Sequence, residues 1–205
     1  PKLVFLCNPN NPTGKVLDES VLANLAEACG EQSFLVMDEA YLPFVDGVLF
    51  RKPLDGNVLC LRSMTKDFAV AGIRLGYAIG DPALIKKMRS LQPTWSVNVY
   101  AQAGGLAILD SLDYYQDTLA KLKDLSTTFF KDLATIGYLI LPSACHFGVF
   151  KTQIPANLFR QKVLRHGIQL RDCSSFGMPH HIRVSTKHTE QNQSLLALLK
   201  TLDLR

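Results

Sequence analysis

Short apolar runs alternate with helix-like segments along the first half of the chain, and this alternation restricts the fold more than any other feature. Three such runs, at Lys2–Cys7, Ser33–Met37 and Asn57–Leu61, each end in a polar or turn-forming stretch. After the first run, apolar residues recur at helical spacing, with Asp18 as the expected N-cap and Gly30 as the stop. Strands that alternate with helices predict an α/β unit with a largely parallel sheet.

The second half of the chain has a different pattern. A further strand is predicted over Ile73–Ile79 and a helix over Pro82–Leu91, and long amphipathic helices follow between Val99 and Leu133. The remainder predicts short strands and two helices, with strands at 138–141, 147–152, 169–173 and 181–185 and helices at 158–166 and 189–202. We therefore predict a domain boundary near residue 105, with a large unit over 1–105 and a small α+β domain over 106–205.

Composition excludes several classes of function. The chain has 22 Lys+Arg and 18 Asp+Glu, a net charge of +4 that is scattered rather than clustered, so we expect no nucleic-acid partner. Its apolar stretches fall far short of the ~18 residues that span a bilayer, so we expect no membrane span. Five cysteines without a CxxC pair predict no metal site and favour a reducing, cytoplasmic compartment.

Polar motifs follow the predicted strands, at the sheet edge where open α/β folds bind ligands. Taken singly, each has a simple structural explanation as a turn, a helix cap or a solvated side chain. A carboxylate that follows an apolar strand requires donors or a cation, and a desolvated lysine at a strand end can act as a nucleophile. The four motifs are Asn11-Pro12-Thr13-Gly14, Asp38-Glu39-Ala40-Tyr41, Ser63-Met64-Thr65-Lys66 and Gly72-Ile73-Arg74-Leu75-Gly76-Tyr77. We expect Arg74 on an inner strand, where an anion would satisfy it.

In combination, the motifs NPNNPTG, DEAY and SMTKDFAVAGIRLGY resemble the fold-type I pyridoxal-phosphate enzymes, the class I and II aminotransferases. The eight-residue gap from Lys66 to Arg74 fits that family. The segments around Trp95 and Arg183 are similar to the branch of histidinol-phosphate aminotransferases and threonine-phosphate decarboxylases. The resemblance implies pyridoxal 5′-phosphate as cofactor and a pyridoxal-phosphate-transferase-like α/β fold, with a partial large-domain sheet, mixed or parallel, and a small α+β C-terminal domain.

The resemblance also assigns roles around the cofactor ring. Lys66 would be the catalytic residue, forming a Schiff base with the cofactor and moving the substrate proton. Asp38 would pair with the pyridinium nitrogen and keep it protonated. Asn11 and Tyr41 would hydrogen-bond the phenolic oxygen, and the Asn11–Pro12 peptide bond is a candidate for the cis form.

Further residues are matched to the anionic groups of cofactor and substrate. Ser63 and Arg74 would hold the cofactor phosphate, and Thr65 lies where one more contact could form. Arg183 is the candidate for gripping a substrate carboxylate or phosphate, and Arg171 competes for that role because it ends a neighbouring strand.

The resemblance predicts a pyridoxal-phosphate-dependent transaminase that acts on a small-molecule amino acid or amino alcohol phosphate. A threonine-phosphate decarboxylase of cobalamin biosynthesis is the alternative enzyme, and an inactive fragment or scaffold is the alternative of another class. The match covers only the latter part of the family's chain, so we expect an N-terminal part to be missing and the full-length protein to be a homodimer. Without that part, we expect weak cofactor binding.

Overall fold

The computed structural model describes residues 2–30, 32–47 and 56–202, which fold as two units. The first unit comprises Pro1–Asn10 and Val16–Leu119, and the second comprises Asn11–Lys15 and Ala120–Arg205. The division therefore falls at Leu119, beyond the position near residue 105 that the sequence pattern predicts.

Within the described residues, the first unit forms a four-stranded sheet in the order β1-β2-β3-β4. The strands are β1 (Leu3–Cys7), β2 (Phe34–Asp38), β3 (Val58–Ser63) and β4 (Gly76–Ile79). Strands β1, β2 and β3 run parallel, whereas β4 runs antiparallel to β3. The sheet is therefore mixed. The strand predicted over residues 73–79 begins only at Gly76, because a 3₁₀ turn at Ala71–Ile73 comes first.

Strand β2 lies at the centre of the hydrophobic core of the first unit, because its sequence is continuously apolar. Leu35 and Met37 are fully buried and pack with Leu22 of helix α1 (Glu19–Cys29), on the face that this helix covers. Val36 is also buried, so the strand is covered on both sides, as predicted for a parallel-sheet strand. The helix ends at Gly30, as predicted.

The remaining helices of the first unit are short until the chain reaches residue 99. They are α2 (Pro43–Asp46), α3 (Met64–Asp67), α4 (Pro82–Ser90), α5 (Val99–Leu109) and the first part of α6 (Leu112–Thr135), whose residues from Ala120 on belong to the second unit. Ile108 of α5 and Leu119 of α6 pack in a core cluster with Met64 and Phe68. This packing explains why the boundary lies at Leu119: the chain just beyond residue 105 contributes to the core of the first unit.

The second unit is built on an antiparallel sheet in the order β5-β7-β6, as far as its residues are described. Its elements are β5 (Phe147–Lys151), α7 (Ala156–Leu164), β6 (Arg171–Asp172), β7 (His181–Ser185) and α8 (Thr189–Leu202). The strand predicted over residues 138–141 is wrong, since this segment forms only an isolated bridge between Ile140 and Phe150. Its Tyr138 ring instead packs edge-on against Phe150, with centroids 5.1 Å apart.

Large apolar side chains of the first unit remain exposed in this chain. Phe5 on β1 is 73% exposed, and Trp95 and Tyr100 are 94% and 78% exposed. Among the described residues, none of the helices combines the length and the apolar character that crossing a bilayer requires.

Gly148 in β5 is a position where the packing leaves no room for a side chain. A Cβ placed there would lie 2.3 Å from Cγ2 of Ile140. Because a β-branched neighbour has little freedom to move, we expect Gly148→Ala to lower the free energy of unfolding by ~1–3 kcal/mol. Chemical denaturation followed by circular dichroism measures the effect.

Two further variants test the cause of this loss. Ile140→Ala removes the clashing methyl, so Gly148→Ala should cost much less in that background. Gly72→Ala is the matched control, since a Cβ at Gly72 meets nothing within 4 Å. An equal cost of Gly148→Ala in both backgrounds would contradict the steric explanation.

Candidate functional site

The carboxyl ends of β2 and β3 lie side by side at one edge of the sheet in the first unit. Asp38, the last residue of β2, is in register with Leu61 of β3, and the Glu39 N–H donates to the Leu61 carbonyl at 2.8 Å. Because β4 is antiparallel, its amino end lies at this same edge, and Gly76 is in register with Ser63. The register therefore brings three of the polar motifs to one edge.

Asp38 leaves the apolar strand and enters solvent. Its side chain is exposed, and Oδ1 accepts a hydrogen bond of 3.0 Å from the backbone N–H of Ala40. This bond orients the carboxylate at the strand end. Tyr41, three residues on, is half-buried, and its ring lies 6.1 Å from that of Phe44.

The segment after β3 forms the helical turn α3, which separates buried from exposed side chains. Ser63 is its N-cap, and Oγ accepts from the Thr65 N–H at 3.2 Å. The Ser63 and Thr65 hydroxyls are also hydrogen-bonded, 2.6 Å apart. Thr65 is buried whereas Lys66 is exposed, so the turn presents the lysine amine to solvent at the sheet edge.

Arg74 does not lie on an inner strand, and that expectation is wrong. It precedes β4 in a left-handed conformation, with φ of +59°, and its side chain is exposed. The Nη1 atom donates to the carbonyl of Ala71 at 2.9 Å, which folds the guanidinium back over its own turn. Ala69 is also left-handed, with φ of +54°. Two non-glycine residues in this costly region mark the loop as one held in place by its surroundings.

Beneath this edge lies a set of buried polar side chains that the sequence analysis did not identify. Arg62 of β3 donates from Nε to Oε2 of Glu39 at 2.8 Å, and both side chains are almost fully buried. Burial alone would lower the pKa of Arg62, but the hydrogen bond and charge of Glu39 outweigh it and raise this pKa. Tyr77 of β4 is half-buried, and its interaction with the same guanidinium also raises the pKa of Arg62. A charged residue within the apolar run of β3 was the available signal.

Asp67 is a second buried group next to Lys66. Its Oδ1 is buried and has no hydrogen-bond partner among the residues that the structure describes. Burial raises the pKa of Asp67 to about 7, although backbone N–H groups of Asp67 and Phe68 oppose this shift. The Asp67 carboxyl therefore changes its charge near neutral pH.

The second unit contains the two remaining predicted residues, Asn11 and Arg183. The Arg183 guanidinium, on β7, donates from Nη1 to Oδ1 of Asn11, and the Asn11–Pro12 peptide bond is cis, as predicted. The Asn11–Lys15 segment is held in this unit by further contacts, since the Ala144 N–H donates to the Gly14 carbonyl at 2.9 Å. The structure thus brings Asn11 and Arg183 into direct contact.

Two cavities of the second unit share arginine side chains in their walls. One has a volume of about 450 Å³ and the other about 640 Å³, and Arg171 and Arg183 line both. These residues are register partners across β6 and β7, an arrangement that places like charges opposite each other. Each guanidinium also lies 5.3 Å from the centre of an aromatic ring, Phe176 for Arg171 and Phe147 for Arg183. The two arginine side chains make this wall suitable for binding an anion.

His146 is buried near Lys187 and Arg183. Burial, together with the positive charges of these two residues, lowers the pKa of His146 to about 4. The imidazole is therefore neutral at physiological pH.

Comparison with known proteins identifies the family of this chain. The family model for "Aminotransferase class I and II" matches residues 1–198. The chain belongs to this family. Its fold is the pyridoxal-phosphate-transferase fold, with a mixed sheet, as the resemblance implied.

Individual members of the family are moderately similar to this chain. Histidinol-phosphate aminotransferase 2 of Carboxydothermus hydrogenoformans is 33% identical over 97% of this chain and 57% of its own length. The solved histidinol-phosphate aminotransferase of Sinorhizobium meliloti, in complex with pyridoxal-5′-phosphate, is 25% identical, with a TM-score of 0.84 over 98% of this chain and 57% of that one. L-threonine-O-3-phosphate decarboxylase of Porphyromonas gingivalis is 23% identical, with a TM-score of 0.86 over 100% of this chain and 65% of that one. The chain thus spans less than two thirds of the length of each.

The buried Asp67 carboxyl predicts a pH dependence of stability. Its pKa is raised in the folded state, so its favourable contribution is complete below the unfolded pKa and is lost as the pH rises to about 7. We expect the free energy of unfolding to fall by ~2–3 kcal/mol between pH 5 and pH 8 through this group. Denaturant titrations at a series of pH values measure the fall.

Asp67→Asn is the matched variant, because the amide is neutral at every pH and has nearly the same shape. It should flatten this part of the profile and should be the more stable protein at pH 8. Parallel pH profiles for the wild type and the variant would contradict the assignment.

Proposed function

We propose that the chain is part of a pyridoxal-phosphate-dependent aminotransferase that acts on an amino acid or amino alcohol phosphate. The observation that carries the proposal is the common sheet edge of the first unit. There the register of β2, β3 and β4 brings Asp38, Ser63 and Gly76 to the same edge, and Lys66 lies three residues after Ser63 and Arg74 two residues before Gly76. The proposed cofactor-binding groups are the carboxylate of Asp38, the hydroxyl of Ser63, the amine of Lys66 and the guanidinium of Arg74.

This set of groups fits the chemistry of pyridoxal phosphate. The exposed carboxylate of Asp38 suits a protonated pyridine nitrogen, and the exposed amine of Lys66 suits an aldehyde. The Ser63 hydroxyl and the Arg74 guanidinium suit a phosphate, for which the fork of arginine is well shaped. Bound there, the cofactor would supply an electron sink for the bonds at the substrate Cα. The ring contact expected of Tyr41 and the phosphate contact expected of Thr65 are part of the same proposal, and the contact of Asn11 with the phenolic oxygen stays a prediction.

Two residues of the first unit would carry the proton chemistry. The Asp38 carboxylate, oriented by the Ala40 N–H, would hold a proton on the ring nitrogen. The Lys66 amine, once free of its own proton, would take the proton from the substrate Cα and return it during the transfer. The helical turn α3 supports this role, because Met64 and Thr65 are buried while Lys66 stays exposed.

Arg183 of the second unit is proposed to hold the substrate anion. Its guanidinium is oriented by Asn11 and by the Phe147 ring, and it lines both cavities. Arg171, its register partner, adds a second positive charge to the same wall. A carboxylate or phosphate bound there would relieve the repulsion between the two guanidinia.

The relatives support this reading of the substrate class. Several relatives are named histidinol-phosphate aminotransferases, and one solved relative contains the cofactor. The similarity to the threonine-phosphate decarboxylase is below 25% identity and supports the fold alone. We extend the proposal to a homodimeric, cytoplasmic enzyme.

The complete gene product provides the test of activity. With pyridoxal 5′-phosphate added, it should transfer an amino group from histidinol phosphate to 2-oxoglutarate or, in reverse, from glutamate to the ketone that corresponds to histidinol phosphate. Lys66→Ala should lower kcat by at least ~10²-fold, because the proton-transferring amine is lost. Lys87→Ala, at an exposed lysine of α4, is the matched control and should leave kcat unchanged.

Product analysis separates the alternatives in the same experiment. Release of carbon dioxide from threonine phosphate, with no amino transfer, would show that the protein is a decarboxylase rather than a transaminase. Absence of both reactions in a folded, cofactor-loaded protein would favour an inactive scaffold and contradict the proposal.

The proposed role of Arg183 makes a separate prediction. Arg183→Ala removes charge-assisted hydrogen bonds to the substrate anion, so KM for the phosphorylated substrate should rise by ~10–100-fold. Steady-state kinetics measure the change, and Arg165→Ala, at an exposed arginine of the same unit, serves as control. An unchanged KM would show that Arg183 does not bind the substrate anion.

A further inference from the structure

A buried ion pair joins the two strand ends that carry the proposed cofactor contacts. Glu39 directly follows Asp38, and Arg62 directly precedes Ser63. Their side chains are 7% and 4% exposed, and Nε and Oε2 are 2.8 Å apart. The pair therefore connects the chain at the end of β2 to the end of β3, one residue from the exposed carboxylate and the hydroxyl.

The same pair reaches the third strand of the edge. Arg62 and Tyr77 are register partners across β3 and β4, and the half-buried Tyr77 interacts with the guanidinium strongly enough to raise the pKa of Arg62. Tyr77 lies three residues after Arg74. Glu39, Arg62 and Tyr77 are thus each close in sequence to a residue proposed to contact the cofactor.

Stability alone gives a weak reason for this arrangement. Removing two charges from water costs several kcal/mol, and their attraction repays this only when the geometry is good. Apolar residues of similar volume usually stabilise a core as well as a buried pair does, or better. An ion pair, unlike apolar packing, fixes the distance and direction between two backbone segments.

We propose that Glu39 and Arg62, with Tyr77, are positioning residues that hold the Asp38 carboxylate and the Ser63–Lys66 turn at the spacing the cofactor requires. This inference rests on the proposed function. Both side chains act through their sequence neighbours, since they are buried beneath the edge. Successive side chains of a strand point to opposite faces, so Arg62 can be buried while Ser63 faces the other way.

The decisive variant separates positioning from stability. The double variant Glu39→Leu with Arg62→Met replaces the pair by apolar side chains and should keep a denaturation midpoint near that of the wild type. In the complete gene product, it should nevertheless bind pyridoxal 5′-phosphate about tenfold more weakly, measured by titration of the cofactor absorbance. The pH dependence of that absorbance should also shift, because the groups around the cofactor are no longer held at their normal spacing.

Conservative single variants keep the test valid if the double variant does not fold. Glu39→Gln retains a carbonyl acceptor without the charge, and Arg62→Lys retains the charge without the planar fork. Both should weaken cofactor binding and shift the absorbance profile in the same direction. Leu199→Ala, in the core of the second unit, is the control for general destabilisation and should leave cofactor affinity unchanged.

The outcomes distinguish this inference from the proposed function. Wild-type cofactor affinity and an unchanged absorbance profile in the folded double variant would overturn the positioning role, while the proposed function would stand. A wild-type protein that does not bind pyridoxal 5′-phosphate through Lys66 would overturn the proposed function, and the positioning role with it.

Discussion

Backbone hydrogen bonds continue beyond the strands at the edge of the first sheet, and the proposed cofactor contacts of this unit depend on them. The Asn8 N–H donates to the Asp38 carbonyl at 3.0 Å, the Glu39 N–H to the Leu61 carbonyl at 2.8 Å, and the Met64 N–H to the Leu75 carbonyl at 3.1 Å. Each bond ties the segment that leaves one strand to its neighbour. Polar residues that are far apart in sequence therefore share one rigid edge, with their spacing set by the strand separation of ~4.8 Å.

The apolar strands are the part of the fold that could be predicted from sequence. Leu35 and Met37 lie in a continuous apolar run, and such a run has few alternatives to a buried strand. Because parallel strands end at one edge, the position of Asp38 followed directly. The direction of β4 did not follow, since hydrophobic periodicity is the same for parallel and antiparallel strands.

The sequence does not predict features that depend on contacts between residues distant in sequence. The pattern of Arg74, with apolar neighbours on both sides, favoured a strand, but the left-handed turn is imposed by the packing around it. Glu39 and Arg62 are 23 residues apart, and only the register of β2 and β3 brings them together. The domain boundary moved to Leu119 for a similar reason, because tertiary packing determines which part of a long helix belongs to which core.

Both units use the same physical means to place a charge where a ligand can reach it. Asp38 and Lys66 are exposed at the end of buried apolar elements, and Arg183 is held by an amide and an aromatic ring. The Ala40 N–H determines the direction of the Asp38 carboxylate, and Asn11 and the Phe147 ring determine that of the Arg183 guanidinium. Such preorganisation lowers the cost of binding an ionic ligand.

The central claim is that the sheet edge of the first unit holds the cofactor through Lys66. The most direct measurement is reduction of the cofactor-loaded gene product with sodium borohydride, followed by peptide mapping by mass spectrometry. We predict a single phosphopyridoxyl adduct, on the peptide that contains Lys66. An adduct on a different lysine, or none in a protein that shows cofactor absorbance, would contradict the account.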